Sequence, residues 1–156
     1  MPRRKRAQKK TYEPDLVYNS RVVTRFINNL MRKGKKSTAE KIFYSAMDII
    51  KEKTGENPID LFEKAMESVG PQVMIKSRRI GGATYQVPLE LSPNKREDTA
   101  IKWLILYSKK KSGRPMAQRL AEEMLDAAKG EGAAFKKKED THRMAEANKA
   151  FSHFRF

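Results

Sequence analysis

Apolar residues recur along most of the chain at the spacing of three and four positions that is typical of amphipathic helices. The first run extends from Val22 to Met31, with Asn19 or Ser20 available to cap its start and Gly34 placed to end it. Further runs of the same kind follow. The pattern therefore predicts a mainly α protein, a bundle of about six helices around one core.

The second and third helices have start and stop signals of their own. Ser37 and Glu40 have the spacing of a capping box, which predicts that a helix begins there and continues to Gly55. Pro58 at a first helical position and Gly70 after the last apolar residue bound the third helix. The apolar stripes of these helices are expected to form a core and to carry no chemistry.

Residues 73–89 follow a different pattern, because Val73 and Ile75, and then Val87 and Leu89, recur at every second position. Two β-prone segments flank Gly81-Gly82, a combination that predicts a two-stranded antiparallel ribbon. Pro88 is compatible only with an edge position, which both strands of a ribbon occupy. Since an isolated ribbon is marginally stable in water, we expect it to protrude and to be stabilised by what it contacts.

The remaining helices are bounded by prolines, lysines and glycines. A fourth helix is predicted from Pro93 to the lysines at 109–111, a fifth from Pro115 to Gly130, and a weaker sixth from about 133 to 149. The last six residues of the chain include three phenylalanines. These should either fold back on the domain or dock on a partner, and the sequence leaves both possibilities open.

Charge turns this small helical domain into a candidate polyanion-binding protein. The chain has 34 Lys and Arg against 19 Asp and Glu, a net charge of +15 over 156 residues. The first ten residues include six basic side chains and no acid. Residues 1–12 are therefore predicted to be a disordered basic arm, and residues 13–156 a single helical domain.

The basic residues are concentrated in particular segments. Residues 16–47 contain seven Lys and Arg but one acid, and residues 109–119 contain five Lys and Arg and no acid. Residues 48–67 have the opposite sign, with six acids and three lysines. Such segregation is the electrostatic footprint of a nucleic-acid-binding protein, with its acidic side turned away from the partner.

Several other classes of protein are disfavoured. The absence of cysteine excludes disulfides, thiolate metal sites and cysteine nucleophiles. No apolar run approaches the roughly 18 residues of a membrane span, and the basic start lacks the apolar stretch of a secretory signal. His142 and His153 lack metal-ligand spacing, and Glu122 and Glu123 point to different faces of a helix. We therefore expect no enzyme, cofactor, metal, small-molecule substrate or membrane partner.

A set of motifs connects the chain to a family. The motifs are Ser20-Arg21-Val22, Phe26-Ile27, Gly34-Lys35-Lys36, Ile42-Phe43 and Ala46, then Arg78-Arg79-Ile80-Gly81-Gly82-Ala83, Tyr85-Gln86-Val87-Pro88, Lys136-Lys137-Lys138-Glu139-Asp140 and Met144-Ala145-Glu146-Ala147-Asn148. In order and spacing they closely resemble bacterial small-subunit ribosomal protein seven, and the resemblance covers essentially the whole chain.

The resemblance implies a structural constituent of the small (30S) ribosomal subunit in the cytoplasm. The family binds the 3′ major domain of 16S ribosomal RNA (16S rRNA) early in assembly and nucleates the head of the subunit. It contacts small-subunit ribosomal proteins nine and eleven, and its ribbon reaches the exit-site transfer RNA (tRNA) and the messenger RNA (mRNA) path. Some bacterial members also repress translation of their own operon.

Transferred to this chain, the resemblance and the charge map predict two groups of site residues. The rRNA-binding group is Arg3, Arg4, Lys5, Arg6, Lys9, Lys10, Arg32, Lys35, Lys36, Lys76, Arg78, Arg79, Arg96, Lys109, Lys110, Lys111, Arg114, Arg119, Lys137, Lys138 and Arg143. The group near tRNA and mRNA is Gly81, Gly82 and Tyr85. Guanidinium groups on the ribbon can stack on bases or bind phosphates in a bidentate manner.

A DNA-architectural protein is the alternative function, because such proteins also combine helices with a basic β-ribbon arm. They are usually dimers that carry an apolar wedge at the ribbon tip. Here Ile80 is the candidate wedge, and no seam of heptad positions predicts a dimer. The ribosomal function is therefore preferred.

Overall fold

The computed structural model describes residues 11–154. In chain order its elements are α1 (Arg21–Leu30), α2 (Lys36–Thr54), α3 (Pro58–Val69), β1 (Val73–Ile80), β2 (Ala83–Glu90), α4 (Pro93–Lys110), α5 (Met116–Ala128), α6 (Gly132–Ala147) and a C-terminal 3₁₀ helix (Lys149–Phe154). The predicted mainly α fold with one two-stranded ribbon is confirmed. None of the helices among these residues is both long and apolar enough to cross a bilayer.

The core is built around three phenylalanines and one central helix. Phe26, Phe43 and Phe62 come from α1, α2 and α3 and are fully buried, with ring centroids 5.4, 5.4 and 5.5 Å apart. Their tilted and edge-to-face arrangements are those that aromatic quadrupoles favour. Helix α5 packs against α2, α3, α4 and α6 and buries Leu120 and Met124. The position of α5 therefore fixes where the junction between α4 and α5 lies.

Most helix boundaries that glycine or proline signalled are confirmed. Gly55 follows α2 in the left-handed conformation, with a φ of 71°, and Pro58 and Pro93 are the first residues of α3 and α4. The end of α1 differs from the prediction, because the helix stops at Leu30 and Gly34 lies in the turn that follows. Helix α6, at Gly132–Ala147, confirms the sixth helix predicted from about 133 to 149, and the 3₁₀ helix follows it.

The predicted capping box of Ser37 and Glu40 is wrong. Helix α2 starts one residue earlier, at Lys36, so Ser37 lies inside its first turn and no side chain caps the helix start. The Glu40 carboxylate lies instead 3.7 Å from the ammonium of Lys36. The reason is the tight turn before the helix, in which Lys33 and Gly34 both have positive φ. After this turn the helix begins at Lys36, so Ser37 is already a helical residue and does not occupy the capping position.

The ribbon has the predicted turn. Its strands pair in register from Val73 opposite Glu90 to Ile80 opposite Ala83. The two glycines between the strands have φ values of 55° and 89°, and positive φ at both central positions is what a type I′ hairpin turn requires. Glycine adopts both conformations without strain, which is why the local sequence was sufficient to predict the turn.

The two faces of the ribbon have different surroundings. Residues directly opposite each other in an antiparallel pair lie on the same face, so Arg78 and Tyr85, which are paired, share one face with Val87. On this covered face Val87 is buried and the other two are half-buried. Arg79 and Thr84 are paired on the opposite, open face, and both are exposed.

The base of the ribbon is tied to α6 through a histidine. The backbone N–H of Gln72, directly before β1, donates a hydrogen bond of 3.1 Å to Nε2 of His142. Burial lowers the pKa of His142, and the positive charges of Lys138 and Arg96 lower it further. The ring is therefore kept neutral at physiological pH, which is the form that can accept this hydrogen bond.

The C-terminal tail folds back on the ribbon. The ring centroids of Phe151 and Phe154 lie 5.3 and 5.2 Å from that of Tyr85. The first of the two possibilities left open by the sequence is therefore the one adopted up to residue 154. Phe156 lies outside the described residues.

Candidate nucleic-acid interface

The turn between α1 and α2 lies beside the junction between α4 and α5, and the two segments enclose a groove of about 300 Å³. Its cationic side chains are Arg32 and Lys35 from the turn, Lys109 from the end of α4 and Arg119 from α5. The remaining lining residues are Leu30, Thr38, Ala39, Ile42 and Met116. This cationic groove, which no acidic side chain of the described residues lines, is suited to the phosphate groups of a nucleic acid.

Lys109 is the most unusual member of the cationic groove. Burial lowers its pKa below the ordinary lysine value, and the charge of nearby Arg32 lowers it further. Both effects disfavour the charged ammonium in the protein alone. A phosphate beside the two cations supplies the counter-charge, so Lys109 should gain more from phosphate than an exposed lysine would.

Arg119 and Lys111 stabilise the junction that forms one wall of the groove. The Arg119 guanidinium donates hydrogen bonds to the carbonyl oxygens of Lys109 and Lys111, at the end of α4 where carbonyls lack helical partners. The Lys111 ammonium lies 3.0 Å from the carboxylate of Glu123 and 3.1 Å from that of Asp126. Lys111 therefore has internal ion pairs, whereas Arg119 both caps a helix and lines the groove.

Arg96 and Lys138 lie elsewhere, at the C-terminal end of α3. Arg96 Nε donates to the carbonyl oxygen of Gly70 at 3.0 Å and its Nη2 donates to that of Glu67 at 3.4 Å. Lys138 Nζ donates to the carbonyl oxygen of Ser68 at 2.7 Å. Cations at this end of a helix stabilise its last carbonyls and its dipole. In the folded protein, Arg96 and Lys138 thus stabilise the end of α3. Their contact with RNA stays a prediction.

The ribbon carries a second set of cations. Lys76 and Arg79 are exposed and Arg78 is half-buried, and together with Ile80 they line a shallow depression. The turn glycines at the tip are exposed. Tyr85 is half-buried against the tail. Of the two ribbon arginines, Arg79 is therefore the more accessible to a nucleic acid.

The remaining predicted cations are spread over the surface. Three of them are paired with an acid, Lys36 with Glu40, Arg114 with Glu122 and Arg143 with Asp140. Lys110 and Lys137 have no acidic partner within 4.0 Å in the described part of the chain. Arg3, Arg4, Lys5, Arg6, Lys9 and Lys10 lie outside the described residues, and their assignment to RNA stays a prediction.

The acidic segment predicted at 48–67 is a surface of the folded protein. Its six carboxylates are all exposed on the second half of α2, on α3 and on the loop between them: Asp48, Glu52, Glu56, Asp60, Glu63 and Glu67. The separation of charge along the sequence is thus also present in the fold.

Two features that shape the site were missed by sequence reasoning. The closeness of Arg32 to Lys109 joins segments far apart in the chain, and no local pattern indicates it. Glu123 could have been found, because it lies between Leu120 and Met124 on the buried stripe of α5. A carboxylate at such a position requires an internal partner.

Comparisons with known proteins place the chain in a family. The family model described as ribosomal protein S7p/S5e matches residues 2–149. Proteins named small ribosomal subunit protein uS7 are similar over their full length and that of this chain: 57% identical in Marinobacter nauticus, 56% in Pelotomaculum thermopropionicum and 54% in Syntrophobacter fumaroxidans. With a family match over nearly all of its residues and relatives above half identity, the chain belongs to the ribosomal protein S7p/S5e family.

Proposed function

We propose that this chain binds the 3′ major domain of 16S rRNA directly, through the cationic groove and the ribbon, and thereby nucleates the head of the small subunit. Membership of the family makes it a structural, non-enzymatic protein of the small ribosomal subunit, with ribosomal RNA and ribosomal proteins as partners. The observation that carries the proposal is the cationic groove, which is lined by four cations from three segments of the chain.

The binding mechanism follows from the electrostatics of the two surfaces. Each lysine or arginine that meets a phosphate releases condensed counterions, so affinity falls steeply with salt. The exposed carboxylates of residues 48–67 repel phosphate, which orients the protein with the cationic groove towards RNA. The acidic surface is then available to basic protein neighbours, and we include small-subunit ribosomal proteins nine and eleven in the proposal as partners.

The ribbon is proposed to extend this interface to the exit-site tRNA and the mRNA path. Its open face, with Arg79, and the tip at Gly81 and Gly82 are the accessible parts. Tyr85 faces the tail, so we expect it to act behind this contact surface rather than within it.

Competition binding tests the proposed function against the DNA-architectural alternative. The full chain is bound to a 16S head-domain fragment at fixed salt and challenged with duplex DNA at equal nucleotide concentration. We expect the complex to persist, because folded RNA presents phosphates at spacings that a regular duplex does not reproduce. Displacement by duplex DNA would contradict the ribosomal assignment and favour the alternative.

The two faces of the ribbon give a sharper prediction. Arg79→Ala and Arg78→Ala remove the same charge from adjacent positions, but only Arg79 is on the open face. We expect Arg79→Ala to weaken binding to the head-domain fragment about fivefold, which corresponds to roughly 1 kcal/mol, and to reduce the salt slope by about 1. Arg78→Ala should change both quantities less. Equal losses in filter-binding titrations would show that the difference in exposure does not matter for binding.

A further inference from the structure

The tail and the ribbon meet in a cluster of three aromatic rings. Phe151 and Phe154 in the 3₁₀ helix are stacked, with centroids 6.4 Å apart and ring planes 16° from parallel. Both rings also contact the ring of Tyr85, which lies on the covered face of the ribbon. The centroids of Phe151 and Phe154 are 5.3 and 5.2 Å from that of Tyr85. Phe151 and Phe154 are themselves only half-buried. The cluster is therefore a contact between two surface elements, separate from the main core.

Among the described residues, the ribbon also has contacts near its base. Val87 and Pro88 are buried there, and the hydrogen bond from Gln72 to His142 joins the start of β1 to α6. Beyond Tyr85 the two strands continue to an exposed turn. A two-stranded ribbon is marginally stable by itself, so its direction depends on how far these contacts extend along it.

Strand geometry shows how much the aromatic cluster adds. With about 3.4 Å per residue, the segment from Pro88 to Gly82 is roughly 20 Å long, and the segment from Tyr85 to Gly82 is roughly 10 Å. Contact with the tail therefore about halves the unsupported length of the ribbon. A shorter unsupported length confines the tip, and with it Arg79, to a narrower range of positions.

We propose that Phe151 and Phe154 are positioning residues that latch the ribbon at Tyr85 and thereby set the direction of its open face. The tail does this without itself occupying that face. The latch depends on ring packing and not on charge, so salt that weakens RNA binding leaves it intact. The consequence for RNA rests on the proposed function, whereas the latch itself is a property of the protein alone.

The absence of cysteine from the chain permits a direct test by distance measurement. Cysteines introduced at exposed Thr84 on the ribbon and exposed Glu52 on α2 carry spin labels, and the distance distribution between them is recorded by pulsed electron resonance. We expect a narrow distribution in the parent and a distribution at least twice as wide in the Phe151→Ala/Phe154→Ala variant. An unchanged distribution would overturn the latch.

Three further variants distinguish loss of the latch from a general effect of removing an aromatic ring. Tyr12→Ala removes a half-exposed ring that lies beside Arg21 and Asn28 of α1, and it should leave the distribution narrow. Tyr85→Phe keeps the ring and should also leave it narrow. Tyr85→Ala removes the same contact from the ribbon side and should widen the distance distribution. The proposal can therefore still be tested if the Phe151→Ala/Phe154→Ala variant does not fold. A widened distribution in Tyr12→Ala, or a narrow one in Tyr85→Ala, contradicts the proposal.

RNA binding by the same variants separates the latch from the proposed function. We expect Phe151→Ala/Phe154→Ala to weaken binding to the head-domain fragment several-fold in the parent background. In an Arg79→Ala background the same change should have little further effect, because residues that act through one contact are not additive. A widened ribbon distribution with unchanged affinity confirms the latch and contradicts the role of the ribbon in RNA binding.

Discussion

Replacing Glu123 with alanine is expected to lower the free energy of unfolding by about 3 kcal/mol, the low end of the range for breaking a buried ion pair. The Glu123 side chain is fully buried, at 0% exposure, and its carboxylate lies 3.0 Å from the Lys111 ammonium. Its Oε1 also accepts a hydrogen bond of 2.8 Å from the backbone N–H of Ala134. One carboxylate thus joins the end of α4, the middle of α5 and the start of α6.

The low end of that range applies because Lys111 is not fully enclosed. Its side chain is 30% exposed, so water replaces part of the lost interaction. The N–H of Ala134, which lies at a fully buried residue, has no such compensation, and an unsatisfied buried donor costs about 1–3 kcal/mol.

Glu122→Ala is the matched control, the same substitution one position earlier. Glu122 pairs with Arg114, whose side chain is 60% exposed, and such a surface pair contributes at most about 1 kcal/mol. Urea unfolding should show a large shift in midpoint for Glu123→Ala and a small one for Glu122→Ala, with similar slopes. Comparable shifts in the two variants would contradict the structural role of Glu123.

The pH dependence of this effect has a defined sign. Burial by itself would lower the pKa of Lys111, but its hydrogen bonds to Glu123 and Asp126, together with their charges, raise it above the ordinary value of 10.5. A raised folded-state pKa stabilises the protein fully below the unfolded value, and this stabilisation is lost as pH rises through the folded value. The Lys111 contribution should therefore persist from neutral pH up to about 10.

Neutralising the cationic groove is expected to reduce affinity for the 16S head-domain fragment by roughly 100-fold. The variant Arg32→Ala/Lys35→Ala/Lys109→Ala loses three contacts with phosphate, each taken as about 1 kcal/mol. Every 1.4 kcal/mol changes the affinity by a factor of ten, so the three together give roughly 100-fold. The slope of log affinity against log salt should fall by about 2 to 3, because three fewer phosphates are neutralised.

The acidic segment supplies a control with the same change in net charge. Lys51, Lys53 and Lys64 lie among the exposed acids of residues 48–67 and are exposed themselves. Replacing these three with alanine also removes three positive charges, so any difference between the variants reports where the charges are. We expect an affinity loss below fivefold, or about 1 kcal/mol, in the control. Equal losses in the two triple variants would show that binding follows net charge and not the groove.

Stability distinguishes this result from simple unfolding. Since the pKa of Lys109 is lowered by burial and by Arg32, the charged ammonium opposes folding, and loss of this charge should not by itself lower the unfolding midpoint. A groove variant that binds RNA weakly and unfolds as the parent does is the expected outcome.

Features with local causes could be predicted from the sequence. The positive φ of Gly55 and of the two ribbon glycines, and the missing N–H of Pro58 and Pro93, act within a few residues of the signal itself. The capping box at Ser37 failed for the complementary reason. A side chain can cap a helix only from the residue just before its first turn, and that residue is Lys35 because the turn through Lys33 and Gly34 is followed by a helix that starts at Lys36.

The order of residues along the chain is enough to predict the helical class, the ribbon with its turn, and the segments that carry the basic excess. It does not predict which cations line a groove, such as Lys109 beside Arg32, and which are bound to internal carboxylates or carbonyls, such as Lys111 and Arg96. Nor does it predict that the tail covers Tyr85. Helix and turn signals depend on neighbouring residues, whereas the surroundings of a charge depend on segments that are far apart in the chain and are brought together by packing.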